Sequence, residues 1–111
     1  LKVPNILVMG HAQCGGVSAA LDNSIADGVP FLRAWVDLLD PAVKRLPHGA
    51  DDPHTLLERD AVRLSLEQLM TFPFVAERVA AGELELNGAR FGIADGKLEL
   101  LDRKSGTFTA L

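Results

Sequence analysis

A histidine and the only cysteine of this 111-residue chain stand at His11 and Cys14, directly after the apolar run Ile6-Leu7-Val8-Met9 and the turn-former Gly10. An imidazole nitrogen and a thiolate are both good ligands for a borderline-soft ion such as zinc. Gly15-Gly16-Val17 follows and reads as the start of a helix. A helix start carries positive potential, which favours the thiolate form that a metal needs. Glycines at that point let the backbone approach an ion closely, and their amides can donate to the ligand sulfur. H-x-x-C supplies only half of a tetrahedral ligand set. The spacing alone therefore leaves a second reading open, a buried cysteine behind a strand-end histidine that bonds a carbonyl.

Two other chemistries use related frames and fail on residue type. Gly10 and Gly15 have the G-x-x-x-x-G spacing of a phosphate loop, but Gly16-Val17 stands where the neutralising lysine and its hydroxyl neighbour belong. A phosphatase-like thiolate needs an arginine shortly after the cysteine, and Gly15 to Ala20 contains none. His48, Asp51, Asp52 and His54 are metal-ligand types, yet Pro47-His48-Gly49-Ala50-Asp51-Asp52-Pro53 is rich in breakers and reads as a solvated loop. Trp35 reads as a core or interface residue. Glu58 and Arg59 read as exposed, or as paired with neighbours at helical spacing.

Holding His11 beside Cys14 requires a strand before them and a helix after. Asn5–Gly10 reads as a buried strand bounded by Pro4. From Gly15 or Gly16 to about Ala26 the chain reads as a helix, with Val17, Ala20, Leu21 and Ile25 on one face and Gly28-Val29-Pro30 breaking it. Leu32, Trp35, Val36, Leu39, Val43 and Leu46 recur at helical spacing between Pro30 and Leu46, with a kink expected at Pro41. His54–Thr71 reads as the longest helix, and Pro73 opens a short one that ends at Gly82. The period then changes. Leu84, Leu86, Ala89, Phe91 and Ile93 mark a strand with a bend at Asn87-Gly88. Asp95-Gly96 signals a two-residue hairpin, and Leu98, Leu100 and Leu101 form the return strand, ending near Asp102.

The order strand, helices, antiparallel hairpin implies an α/β fold: a partial central sheet led by a buried strand, with helices packed on it. His11 and Cys14 then lie at the carboxyl end of the first strand, where open α/β sheets place their ligands. With 111 residues and 48% hydrophobic content, the chain supports one domain with a real core. Its formal net charge is −4 and its Lys and Arg residues are scattered, which argues against a nucleic-acid partner. No apolar run approaches the roughly 18–20 residues of a membrane span. A single cysteine excludes an internal disulfide and fits a reducing, cytoplasmic setting. The abrupt start at Leu1-Lys2-Val3-Pro4 leads us to expect a piece of a longer natural chain.

Ile6-Leu7-Val8-Met9-Gly10-His11-Ala12-Gln13-Cys14-Gly15-Gly16-Val17 resembles the second zinc motif of the β-class carbonic anhydrases. Leu84 to Ile93, then Gly96-Lys97-Leu98 and Asp102, resemble that family's C-terminal strand pair. Glu58, with Ala61-Val62 and Leu69, resembles the helix between them. The resemblance implies the C-terminal part of the family domain, 1–111 being one unit of it, with His11 and Cys14 as zinc ligands. It also implies reversible hydration of carbon dioxide to bicarbonate, with carbonyl sulfide and carbon disulfide as related substrates, and a homo-oligomeric state. The family takes a further cysteine, and an Asp-Arg pair that handles the zinc-bound water, from a Cys-x-Asp-x-Arg motif that this sequence lacks. The zinc site is therefore expected to be incomplete here, no catalytic residue is assigned, and the fragment alone is expected to be inactive. A homo-oligomer or a separate N-terminal segment would complete the fold. The alternative is a catalytically dead, metal-free α/β module that acts through oligomer contacts.

Overall fold

The computed structural model describes residues 2–23 and 29–111. Among the described residues, four strands form one sheet in the order β1 (Asn5–His11), β2 (Glu85–Phe91), β3 (Leu98–Leu101) and β4 (Phe108–Ala110). β1 and β2 are parallel, with Asn5 opposite Glu85 and His11 opposite Phe91, and the other two pairings are antiparallel. Between β1 and β2 run α1 (Gly15–Asp22), α2 (Pro30–Val36), a 3-10 turn at Asp37–Leu39, α3 (Asp40–Lys44), α4 (Pro53–Leu69) and α5 (Pro73–Ala80). The expected α/β architecture is present.

α4 is the centre of the packing. Its start is fixed by Asp52, whose carboxylate accepts from the Thr55 backbone amide at 3.2 Å and from the Thr55 hydroxyl at 2.7 Å, with Pro53 in the first turn. Val62 and Leu66, one turn apart, face the sheet in a cluster with Val75, Leu84 and Leu86, supported by Ile6 and Val8. Leu57 and Leu64 face the other way, against Val17 of α1 and Ala42 of α3. One helix with two apolar sides thus joins the sheet to the other helices.

Several expectations need correction. The helix foreseen over Pro30–Leu46 is broken at Asp37–Leu39, and Pro41 lies in the first turn of α3, where its missing N–H costs nothing. α1 ends at Asp22 with Asn23 left-handed at φ 52°, while Ile25 and Ala26 lie outside the described residues. No bend interrupts β2 at Asn87-Gly88, since the ladder to β1 runs through both. Gly88 is there because α4 comes so close: a Cβ would lie 2.9 Å from Val62 Cγ1 and 3.1 Å from Leu66 Cδ1. The first hairpin exists, but its connection is a wider loop. Gly92 N–H donates to Lys97 O and Gly96 N–H to Gly92 O, each at 2.8 Å, with Gly96 at φ 67°. β4 was not foreseen. It follows a second loop of the same kind, in which Gly106, at φ 75°, donates to Asp102 O at 2.7 Å.

β1 is not a buried strand. It is an edge, and its residues alternate between exposed and half-buried. Successive strand side chains point to opposite faces. Ile6 and Val8 meet the core under α4, whereas Leu7 and Met9 on the opposite face are each 54% exposed. Leu100 of β3 and Phe91 of β2 are exposed as well. Trp35, 73% exposed, is not a core residue.

The tight seam at Gly88 yields a direct test. Gly88→Ala would press a methyl group against Val62, Leu101 and Leu66, and overpacking of this kind destabilises by about 1–3 kcal/mol. Urea unfolding should show a lowered midpoint with an unchanged slope. A midpoint equal to that of the parent would contradict the described helix–sheet approach.

Candidate metal centre

His11 is the last residue of β1, opposite Phe91 in the ladder. The next amide, Ala12 N–H, still donates to Phe91 O at 2.9 Å, so β2 holds the chain one residue past the strand. Gln13 then takes a left-handed conformation at φ 57°, unusual for a residue with a Cβ. This reversal delivers Cys14 to the N-cap of α1 in an extended conformation. Its carbonyl accepts from Ser18 N–H at 3.0 Å, and its side chain makes no capping bond. Strand end, left-handed residue and helix start are what bring the two side chains to one mouth.

His11 is exposed and Cys14 half-buried. Both border one cleft of about 550 Å³, walled by Val36, Trp35, Leu38 and Leu39 on one side and by Ala61 and Ser65 of α4 on the other. The imidazole Nδ1 lies 2.9 Å from the Ala12 carbonyl oxygen. A carbonyl oxygen only accepts, so this bond is donated by Nδ1–H, and in the neutral ring Nε2 then keeps its lone pair. This matches part of the second reading, a strand-end histidine bonded to a carbonyl. That bond engages one nitrogen and orients the ring, as partners of metal-ligating histidines do. The donor set thus fits half of a zinc centre. Among the described residues no group of three His, Cys, Asp or Glu side chains converges as a metal site.

The other residues singled out from the sequence fall elsewhere. Asp52 is engaged as the α4 cap, and its Thr55 hydrogen bonds hold its carboxyl below the usual range. With His54 it borders a separate depression that also includes Gln13, Ser18 and Arg90.

Glu58 is 4% exposed, contrary to the surface role expected of it. Arg90 of β2 donates to Glu58 Oε1 through Nε at 2.9 Å and Nη2 at 2.8 Å. Its remaining arm, Nη1, donates to Glu99 Oε1 at 2.9 Å. Arg59 grips the same Glu99 with Nε and Nη2, at 2.9 and 2.8 Å. Four alternating charges therefore tie α4 to β2 and β3 rather than pairing along the helix. The signal was in the sequence. Glu58 precedes Val62 and Leu66 at helical spacing, and Arg90 shares a strand face with Leu86 and Gly88. A charge on each of two faces bound for burial demands an opposite partner.

The carbonic anhydrase family profile matches residues 1–98. Beta carbonic anhydrase 3 of Arabidopsis thaliana is 35% identical over 121 aligned positions, which take in 100% of this chain and 47% of that protein. This chain belongs to the β-carbonic anhydrase family. It spans about half the length of that curated relative. Among solved structures, a tetrameric β-carbonic anhydrase of Sordaria macrospora superposes with a TM-score of 0.76 at 27% identity, covering 98% of this chain and 55% of its own. The β-carbonic anhydrase CcaA gives a TM-score of 0.82 at 24% identity, over 100% of this chain and 52% of its own, and speaks for the fold. The 111 residues contain no Cys-x-Asp-x-Arg run.

The charge network has a pH signature. Hydrogen bonds from Arg59, opposed by partial burial and aided by the charges of Arg59 and Arg90, hold the Glu99 carboxyl below its ordinary value of 4.5. A depressed folded-state pKa contributes stability above the unfolded value, and this is lost as pH falls through the folded one. Urea melts from about pH 7 to about pH 3 should therefore show a steeper acid decline in the parent than in Glu99→Gln. Parallel declines would contradict the network.

Proposed function

We propose that His11 and Cys14 are two protein ligands of a zinc ion, and that the centre they belong to serves the reversible hydration of carbon dioxide to bicarbonate. The observation that carries this reading is the His11 ring: Nδ1 bonds the Ala12 carbonyl, which leaves Nε2 available in the neutral ring, and His11 and Cys14 line one cleft. Zinc, when bound, supplies a Lewis acid that brings the ionisation of water toward neutral pH. His11 would contribute Nε2 and Cys14 its Sγ. The apolar cleft wall of Val36, Trp35, Leu38 and Leu39 suits a small uncharged substrate. A lone thiol reserved for a metal is in keeping with the cytoplasm.

Two ligands neither fix nor orient a metal, so the 111 residues alone are inactive on this reading. A further thiolate and the Asp-Arg pair implied by family resemblance would have to come from another segment. Self-association, or pairing with such a segment, is also proposed. An edge strand with unpaired backbone groups next to exposed Leu7 and Met9 invites another chain. The Sordaria macrospora relatives are tetrameric.

Stopped-flow hydration and metal analysis of the purified chain test the reading, with and without a family segment bearing Cys-x-Asp-x-Arg. The chain alone should show no rate above the uncatalysed one. Reconstitution should bring zinc and activity, both lost in Cys14→Ser. Robust activity of the chain alone, abolished by Cys14→Ser, would show that a replacement ligand exists. A reconstituted assembly without zinc would favour the metal-free oligomerisation module. Light scattering of the chain at micromolar concentration should report assemblies, and a well-behaved monomer would contradict the open-edge argument.

A further inference from the structure

Glu58 touches the site's supports twice. Its backbone oxygen lies 3.4 Å from where a Cβ on Gly10 would be, and Val62 Cγ2, one turn on, lies 2.9 Å from the same point. The α4 turn from Glu58 to Val62 thus rests on the β1 residue just before His11. The Glu58 carboxylate meanwhile takes two hydrogen bonds from Arg90, which stands opposite Gly10 in the ladder. The next pair in that ladder is His11 with Phe91, whose carbonyl holds Ala12. Glu58 also lines the cleft shared by His11 and Cys14, and the depression behind it that Ala12 and Gln13 border.

We propose that Glu58 and Arg90 are positioning residues for the His11–Cys14 turn. Together they clamp α4 onto the ends of β1 and β2, so that the strand end and the left-handed Gln13 stay in one conformation. Replacing a buried ion pair by apolar residues is often neutral or even stabilising, so stability by itself is a poor account of this pair. Glu58 side chains are 4% and Arg90 side chains 11% exposed, which makes the clamp stiff and short-range. Arg90's third arm continues to Glu99 and Arg59, which brace it from β3 and α4. The role in function rests on the zinc reading above. The clamp itself does not, and its test uses the metal-free chain.

The measurement is site-resolved amide hydrogen exchange by NMR. The reporter is Ala12 N–H, bonded to Phe91 O. The reference is Ala76 N–H in α5, bonded to Phe72 O at 3.0 Å. Local opening raises exchange at one amide, whereas general destabilisation acts on all amides that open globally. Glu58→Gln and Arg90→Met should speed exchange at Ala12 by about tenfold relative to Ala76. Arg90→Lys, which keeps the charge without the two-armed grip, should restore part of the protection. Arg59→Met, which removes only the outer brace and leaves both Arg90–Glu58 hydrogen bonds, should change the ratio much less than Arg90→Met. Equal factors at Ala12 and Ala76, or no change at Ala12, would overturn the proposal and leave the zinc reading standing. Should Glu58→Gln fail to fold, Arg90→Lys decides between the same two results.

Discussion

Val62 packs against two glycines at once. Its Cγ2 occupies the space of a Cβ on Gly10 of β1, and its Cγ1 that of a Cβ on Gly88 of β2, each at 2.9 Å. Two neighbouring parallel strands without side chains at these points form a groove, and α4 sits in it. The rest of the structure depends on that approach. It sets the depth at which Glu58 meets Arg90. It also sets the distance between the sheet and the outer helices, because Leu57 and Leu64 on the far side of α4 carry α1 and α3. The cleft beside His11 and Cys14 is the gap between α4 and the α2–α3 region that this spacing leaves. A larger residue at Gly10 would move helix, strand end and turn together.

Much of this was legible in the sequence, and for particular reasons. A β-branched apolar run ending at Gly10, then paired glycines, identified a strand–turn–helix without help from the rest of the chain. The long helix was expected from His54, one residue late, because Asp52 and Pro53 read as part of the breaker-rich loop; they are its cap and first-turn proline. What escaped had non-local causes. β4 is only three residues long and has no alternation strong enough to notice. The role of Gly88 lay in a contact with α4, so a bend was the natural local inference. Glu58 and Arg90 are 32 positions apart, and helical spacing offered nearer partners. The exposure of β1 follows from its place at the sheet edge, which composition does not reveal. The metal reading was open from spacing alone. The structure adds the Nδ1 bond to the Ala12 carbonyl, which spacing cannot show.

Family membership and site geometry bear on different questions. The family is settled by likeness along nearly the whole chain. The geometry concerns what these residues offer: an oriented imidazole, a thiol at a helix start, an apolar cleft and an open sheet edge. The chain spans about half the length of its curated relative. The exposed edge of β1 ends at His11, and Cys14 follows three residues on at the cap of α1. A segment pairing with β1 is therefore also well placed to bring donors near His11 and Cys14. One surface would serve folding and chemistry together, and the left-handed Gln13 sits between them.

His11 Nδ1 lies 2.9 Å from the Ala12 carbonyl oxygen, which holds the neutral ring as the Nδ1–H form with its Nε2 lone pair available. Long-range proton–nitrogen correlation NMR of the metal-free chain, at a pH where the ring is neutral, reads the tautomer of His11 directly. The expected result is the Nδ1–H form, with an Nδ1 resonance in the protonated range and an unprotonated Nε2. An Nε2–H tautomer, or an even mixture of the two, would mean that the ring is not held by Ala12 and that Nε2 is not presented to a metal.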